Sequence, residues 1–314
     1  MNNKSVYGVL LNWNGKEHLE YCIPSLLKTK YNGFKILLVD NGSTDGSVDF
    51  VKRNFRTNRI KILKLDKNYG YSKGMNIGIK YALQKKADFI CTINNDIIVD
   101  PRWITESLKV FSKYKDIGVI GFDMLGMEER GDIQRFKKEQ KLRKVFHFEY
   151  KSYVLDALMI VKSEVFKRVG FFDEKYITYG EEEDLFARIS LAGYKLVELS
   201  VPVYHYGHGT ADKIPLKTSY LMMRNSIRYS LKWLPIIDTL KRIGYIGHIS
   251  CNPFARFDKK NIVATKLRPS NIFVNSILFI KAVMWNIVFL PQTIMIRRQQ
   301  RKEAIGSIVH KAYK

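Results

Sequence analysis

Phe89-Ile-Cys-Thr-Ile-Asn-Asn-Asp-Ile-Ile-Val-Asp100 is the stretch on which the fold turns. Phe89 to Ile93 are β-prone or small and follow the polar pair Lys85-Lys86, so a buried strand is predicted. The strand stops at Asn94-Asn95-Asp96, ahead of a second apolar run, Ile97 to Val99. A carboxylate between two apolar runs is costly to bury unless it is hydrogen-bonded or binds a cation. α/β sheets bind ligands at the carboxyl ends of their strands, where a metal-bound diphosphate is the natural partner for Asp96. An Asn/Asp turn between two strands is the plainer alternative.

Three similar units lie upstream. Val6 to Trp13 reads as a strand ending at the turn signal Asn14-Gly15, and Glu17 to Leu27 has helical spacing of Leu19, Ile23, Leu26 and Leu27. Phe34 to Val39 is a second buried strand, stopped by Asp40-Asn-Gly-Ser-Thr-Asp45. Ser43, Thr44 and Asp45 are N-cap candidates for a helix over Val48 to Phe55. Ile60 to Leu65 is the third strand, and Asn68 to Asn76 leads into a helix through Ala82. Strand, polar loop and helix in repetition mean a parallel-rich sheet with the loops gathered on one edge, which puts Asp40, Asn68 and Asp96 there. No GxGxxG follows the first strand and no P-loop pattern occurs, so a nucleotide would be held by carboxylates and amides, with or without a metal.

The chain has 314 residues, 46% of them hydrophobic, enough for one large domain with an appendage or for two domains. Cys22, Cys91 and Cys251 are far apart and in no CxxC spacing, which argues against a disulfide framework or a zinc site. Met1-Asn-Asn-Lys-Ser runs straight into Val6 to Leu11, and no secretory signal peptide is expected there. Of the formal +23, residues 213–314 hold +16, from 19 Lys/Arg and 3 Asp/Glu. Such asymmetry points to nucleic acid or an anionic membrane as partner of the last third.

Residues 126–151 are densely charged and read as a surface excursion, and Tyr153 to Val161 as the strand after it. Ser163 is expected to cap a short helix through Val169, closed by Gly170. Phe171-Phe-Asp-Glu-Lys-Tyr-Ile-Thr-Tyr-Gly-Glu-Glu-Glu-Asp184 then brings four acids to a helix start. The helix macrodipole favours acids there, and their mutual repulsion is expected to raise at least one pKa, which suits a general base. Tyr194 to Val203 is another strand, ending in Tyr204-His-Tyr-Gly-His-Gly-Thr210, where two His in a Gly-rich loop favour metal or phosphate contact.

Together these segments resemble the inverting family 2 glycosyltransferases of GT-A fold, especially a bacterial rhamnosyltransferase-like branch. The resemblance is carried, in family order, by Leu11-Asn-Trp-Asn-Gly15, Val39-Asp-Asn-Gly-Ser-Thr-Asp-Gly-Ser47, Asn68-Tyr-Gly-Tyr-Ser-Lys-Gly-Met-Asn-Ile-Gly78, Asn94-Asn-Asp96, Gly170-Phe-Phe-Asp173, Tyr179-Gly-Glu-Glu-Glu-Asp-Leu185 and His205. It implies an α/β fold, a GT-A type Rossmann-like mixed sheet flanked by helices, over residues 1–212. A C-terminal helical, basic, membrane-associating extension over 213–314 is expected to follow.

The resemblance also implies roles. Asp40 would accept from the ring N–H of a uracil or thymine, with Asn12 and Trp13 beside the nucleoside. Asn68 to Asn76, including Gly74, would line the diphosphate and sugar of a nucleotide-diphosphate-sugar donor, with Asn94 and Asn95 nearby. Asp96 and His205 would bind Mg²⁺ or Mn²⁺, and Glu182 would be the catalytic base acting on a lipid-linked or other glycan acceptor. Three positions depart from the family pattern. Asn94 replaces one acid of the metal motif, Asp156 stands in place of a small residue, and Glu182 is one methylene longer than the usual Asp. The last leaves Glu181 and Asp184 as alternative bases.

Tyr220-Leu-Met-Met-Arg-Asn-Ser-Ile-Arg-Tyr229 resembles the helix that follows the catalytic domain in this branch. Further on, Phe273, Ile277, Ile280, Met284, Ile287 and Val288 form one helical stripe, with Asn271, Asn275, Lys281 and Asn286 expected opposite. Residues 272–296 are long enough to cross a bilayer, but the Asn residues, Lys281 and Pro291 argue for a helix lying in the interface of an anionic membrane. That reading makes the protein peripheral, on the cytoplasmic face of the plasma membrane. A helix packing within the protein or a homodimer contact is the alternative. Nucleic acid is not expected, since the basic and aromatic residues of the tail match no RRM, HTH or zinc pattern. A basic nucleic-acid-binding protein and a nucleotidyltransferase on the same sheet are the rival readings.

Overall fold

The structure, a computed structural model, describes residues 4–126, 145–207, 214–251 and 271–300. The chain divides into two units, Met1–Ile177 with Ile189–Gly209, and Thr178–Arg188 with Thr210–Lys314. Most of the charged segment 126–151, and His208 of the strand-end loop, lie outside the described residues.

The first unit is a nine-stranded mixed sheet with helices against it. Its elements in chain order are β1 (Val6–Asn12), α1 (Lys16–Leu27), β2 (Phe34–Asp40), α2 (Ser47–Asn54), β3 (Ile60–Lys64), α3 (Tyr71–Gln84), β4 (Phe89–Asn94), β5 (Ile97–Val99), α4 (Trp103–Lys113), β6 (Ile117–Gly126), β7 (Phe148–Lys151), β8 (Leu158–Lys162) and α5 (Ser163–Val169). α6 (Glu181–Leu191) comes next, with the division between the units falling inside it, and β9 (Lys195–His205) completes the sheet. Strand order is β3-β2-β1-β4-β8-β6-β9-β5, with β7 also paired to β9. β1 lies parallel between β2 and β4, and β3 is parallel to β2. β8 is antiparallel to both β4 and β6, which makes the sheet mixed.

Central strands are covered on both faces, so they read as near-continuous apolar runs. Leu10, Ile36, Leu38 and Ile93 pack with Leu19, Ile23 and Trp103 in one core cluster. Val9 and Val39 point instead at α3, where a side chain on Gly78 would collide with both. Each fully buried Leu or Ile contributes about 1.5–3 kcal/mol. Cys22, Cys91 and Cys251 are all free thiols.

Three local expectations change. Tyr153 to Ala157 precede the strand instead of belonging to it: residues 156 and 157 turn, and β8 begins at Leu158, one residue after uninterrupted burial begins. Ser163 does not cap α5. It is the first helical residue, Lys162 holds the cap position, and no side chain caps the helix. None of the three cap candidates before α2 holds the cap position, which is Gly46 with no side-chain cap bond; Asp45, one residue earlier, accepts from the Ser47 N–H at 3.0 Å and from the Ser47 hydroxyl.

The second unit is helical: α7 (Pro215–Trp233), α8 (Ile236–Cys251), α9 (Ile272–Val288) and α10 (Leu290–Gln300), together with the start of α6. Met223, Ile227, Ile246, Ile249 and Ala282 form its core. The stretch 272–296 is two helices bent by 61°, and among the described residues no single helix is long and apolar enough to cross a membrane. Pro291 sits in the first turn of α10; it cannot donate to the carbonyl four residues back, so the α9 ladder ends there.

Candidate functional site

Parallel pairing sets the first cluster. Asn12 ends β1 opposite Asp40, which ends β2, and Leu11 is opposite Asn94 at the end of β4. Three strands of one hand thus deliver Asn12, Asp40 and Asn94 to the same rim. Of Asp40, Asn68 and Asp96, the residues expected on one edge, register alone places Asp40.

Side chains then knit the rim. Asn12 Nδ2 donates to Asp40 Oδ1 and to Ser43 Oγ, both at 3.2 Å, and its Oδ1 accepts from Asn95 Nδ2 at 2.7 Å. The other oxygen of Asp40 accepts from the Ser43 N–H at 3.1 Å. Asp40 is fully buried, so its carboxylate organises the Asp40–Ser43 turn as well as facing Asn12. Each carboxylate oxygen offers two lone pairs and accepts one of these bonds, Oδ1 from Asn12 and Oδ2 from Ser43. Gly15 lies beneath this network: a Cβ there would run into the Asn95 amide and sit 2.7 Å from Asn12 Oδ1. Trp13 is half-buried in the bend after β1.

A second amide knot lies beside it. Asn41 donates to Asn68 Oδ1 at 3.0 Å and to the Gly70 carbonyl at 3.1 Å, while its own oxygen accepts from the Tyr69 N–H. Gly74, in the first turns of α3, admits Leu11 and Asn41: a Cβ would meet Leu11 at 2.8 Å and Asn41 Nδ2 at 3.1 Å. Asn76 has a different job from the one the resemblance implied. Its amide donates to the Phe172 carbonyl and to Glu174, and accepts from the Phe172 N–H, so it clamps the turn after α5.

Asp96 and His205 form the third feature. β5 runs antiparallel to β9 with Ile97 opposite His205, which carries the imidazole Nε2 to 3.3 Å from Asp96 Oδ1. Asp96 Oδ2 accepts from the Gly207 N–H at 3.3 Å, and its carbonyl from the Tyr206 N–H. Burial alone would raise the Asp96 pKa. The hydrogen bond and charge of His205, with smaller help from His18 and Gly207, bring it below the ordinary carboxylate value. The Tyr21 phenol is pushed up by burial and then by the Asp96 charge. His18 bonds Tyr21 at 2.8 Å and lies against the Tyr206 ring.

One carboxylate and one imidazole in contact are a donor set that accepts Mn²⁺ or Mg²⁺, with imidazole favouring the former. His18, Tyr21, Asn14, Asn41 and Ser43 were not among the predicted site residues. Only the i, i+3 spacing of His18 and Tyr21 on α1 could have signalled the first two.

The four acids lie in the second unit. Glu181 and Asp184 are buried, and Glu182 and Glu183 half-buried. Tyr179, with φ +70°, and Gly180, with φ +86°, lead into α6. Asn225 of α7 pins this approach, donating to the carbonyls of Thr178 and Tyr179 at 2.7 Å each. Asp184 is fully enclosed: Arg188 Nε is 3.1 Å from Oδ2, Trp233 Nε1 donates to Oδ1 at 3.0 Å, and Lys232 pairs with Oδ1. A carboxylate so encircled is built as a structural ion. The raised pKa expected of this group falls on Glu183, and its cause is burial opposed by Arg242, not repulsion among the acids.

Residues 9–170 match the sequence pattern of Glycosyl transferase family 2, just over half of the chain. The chain belongs to that family. This glycosyltransferase is 24% identical over 210 residues to glycosyltransferase GlyG of Streptococcus pneumoniae, covering 62% of this chain and 67% of that one. It is 23% identical over 276 residues to an N-acetylglucosaminyl-diphospho-decaprenol L-rhamnosyltransferase of Mycobacterium tuberculosis, covering 74% and 88%. Other curated relatives are spanned over 15% and 57% of their length. The fold superposes on S. aureus TarS 1-349 in complex with UDP-GlcNAc with a TM-score of 0.59 at 16% identity, covering 96% of this chain and 89% of that one. The expected GT-A type sheet flanked by helices is therefore the fold of this glycosyltransferase, and its helical C-terminal extension is present. The family match stops before α6 and His205.

Proposed function

We propose that this glycosyltransferase moves a sugar from a UDP- or dTDP-sugar to a hydroxyl of a lipid-linked glycan, with inversion, in surface polysaccharide synthesis. The observation that carries the reading is the single rim on which Asn12, Asp40 and Asn95 are bonded together at the ends of β1, β2 and β4, within the family match. The name of the mycobacterial relative supports a lipid-diphosphate acceptor, and the TarS complex a UDP-sugar donor.

The nucleoside is held by the Asp40–Ser43 turn, where Asp40 receives the pyrimidine N–H and Asn12 keeps its carboxylate oriented. Trp13 lies beside the base. Asn68, held by Asn41 and the Gly70 N–H, presents the loop that faces the diphosphate. Asp96 and His205 would hold the divalent cation, which when bound supplies positive charge to the leaving diphosphate. Glu182 takes the proton of the acceptor hydroxyl as that oxygen attacks the anomeric carbon and the nucleoside diphosphate leaves. One displacement without a covalent intermediate inverts that carbon.

The test is to incubate the full chain with UDP-, dTDP- or GDP-sugars, Mn²⁺ or Mg²⁺, and a polyprenyl-diphosphate-linked sugar. Release of nucleoside diphosphate with growth of the lipid-linked glycan supports the reading. Release of pyrophosphate would overturn it in favour of nucleotidyl transfer.

A further inference from the structure

Helix α9 is apolar on both faces. Its packed face carries Ala282, with Leu278, Phe279 and Val283 against the core, and Asn286, whose amide donates to the carbonyls of Arg224 and Ala282 at 2.9 Å each. Its outward face carries Phe273, 74% exposed, then Ile277, Ile280, Met284, Ile287 and Val288, the last 68% exposed. A helix facing water carries polar residues on that outer face. The stripe continues past the bend through Pro291, Ile294 and Met295 of α10. There Pro291, Ile294 and Met295 line a cleft of about 530 Å³ with Arg298 and Gln299. α8 runs antiparallel to α9, with Cys251 against Ser276 and Gly247 against Phe279, so its exposed start, Ile236, Ile237 and Leu240, lies toward the α10 end. An exposed apolar surface of this extent marks an interaction site.

Charge selects the occupant. Lys281, expected on the packed side, is exposed on the flank of the stripe, one turn from Ile277 and Met284. Lys241 and Arg298 are exposed as well, and residues 271–300 contain no Asp or Glu. A second copy seated on this face would bring Lys281, Lys241 and Arg298 against like charges, with Asp238 at the start of α8 the one acid of these three helices to pair them. Phosphate headgroups complement them.

We infer that α9, α10 and the start of α8 form a docking surface for an anionic lipid bilayer, lying in its interface. Apolar side chains enter the acyl boundary while Lys281, Lys241 and Arg298 meet headgroup phosphates. The bend of 61° and the length of each helix fit a surface position. This inference does not rest on the proposed sugar transfer, and its test needs no turnover.

The experiment is flotation of the full chain with vesicles of phosphatidylcholine alone and of phosphatidylcholine mixed with phosphatidylglycerol, beside light scattering of the free protein. The wild type should float with the anionic vesicles, less so at high salt. Ile277→Glu with Met284→Glu should lower that binding by about tenfold or more. Both side chains are more than half exposed, so the thermal midpoint should hold and report an intact fold. Failure to float with anionic vesicles, or binding unchanged by the double substitution, overturns the inference. So does a dimer that the double substitution converts to monomer without vesicle binding in either form.

Discussion

His205 Nε2 stands 3.3 Å from Asp96 Oδ1, and the pairing of Ile97 with His205 across two antiparallel strands puts it there. Without a cation, the imidazole itself offsets part of the cost of burying Asp96. A divalent cation would take over that role, so metal should stabilise the fold. Mn²⁺ should raise the thermal midpoint of the wild type, and Asp96→Ala should abolish the shift. His205→Ala should weaken Mn²⁺ by about tenfold or more, read by calorimetry. An equal midpoint shift in all three proteins would remove the pair from metal binding.

Asp40 has two claims on it, the Ser43 turn and a nucleoside. Asp40→Ala leaves the Asn12 amide and the Ser43 N–H short of an acceptor, which should lower stability by about 1–3 kcal/mol. If the carboxylate also receives a pyrimidine N–H, the dissociation constant for UDP or dTDP should worsen by a similar amount. A stability loss with unaltered nucleotide affinity would leave Asp40 as a turn carboxylate only.

Gly15 separates packing from chemistry. A methyl there overlaps the Asn95 amide and crowds Asn12, so Gly15→Ala should cost about 1–3 kcal/mol and displace the bond between those two amides. Donor affinity should fall with it, while Gly244→Ala, inside α8 with no atom within 4 Å of the added carbon, should leave donor affinity alone. Nucleotide titration of both variants decides the matter.

The rim was legible because it follows from local pattern: apolar runs that stop at Asn12, Asp40 and Asn94 become level once the strands are parallel. What local pattern does not contain is a partner from far along the chain. The acids at 181–184 look alike in sequence, yet Asp184 is enclosed by Lys232 and Trp233 from α7, and Glu183 is the one that burial perturbs. Asn76 reads as a ligand-facing amide in sequence, yet Phe172 and Glu174 occupy it. Lys281 reads as lying opposite the stripe, yet its position one turn from Ile277 sets it on the flank.

Glu183 predicts a pH dependence whose sign follows from its cause. Burial raises its pKa above the unfolded value, with Arg242 opposing, so the folded state holds the proton to higher pH. Its contribution to stability is complete below the unfolded carboxylate pKa and is lost as pH rises through the raised folded value. Glu183→Gln should therefore gain on the wild type as pH climbs from acid toward neutral. Denaturant midpoints across that range should converge at low pH; parallel curves would show that Glu183 is not the titrating group.

Glu182 and Asp184 should fail in different ways. Asp184 is a buried ion with Arg188, Lys232 and Trp233 around it, and removing one partner of a buried pair costs about 3–5 kcal/mol. Asp184→Ala should lose stability on that scale, and whatever activity it loses should track the unfolded fraction. Glu182 is half-buried in the first turn of α6. Glu182→Gln keeps the shape and removes the basicity, so turnover should drop by about 10²–10⁴-fold with the thermal midpoint and donor affinity nearly unchanged. Single-turnover transfer on folded protein separates the two. If Glu182→Gln transfers sugar at the wild-type rate, the base is another residue, and Glu181, buried beside it at the start of α6, is the next to replace.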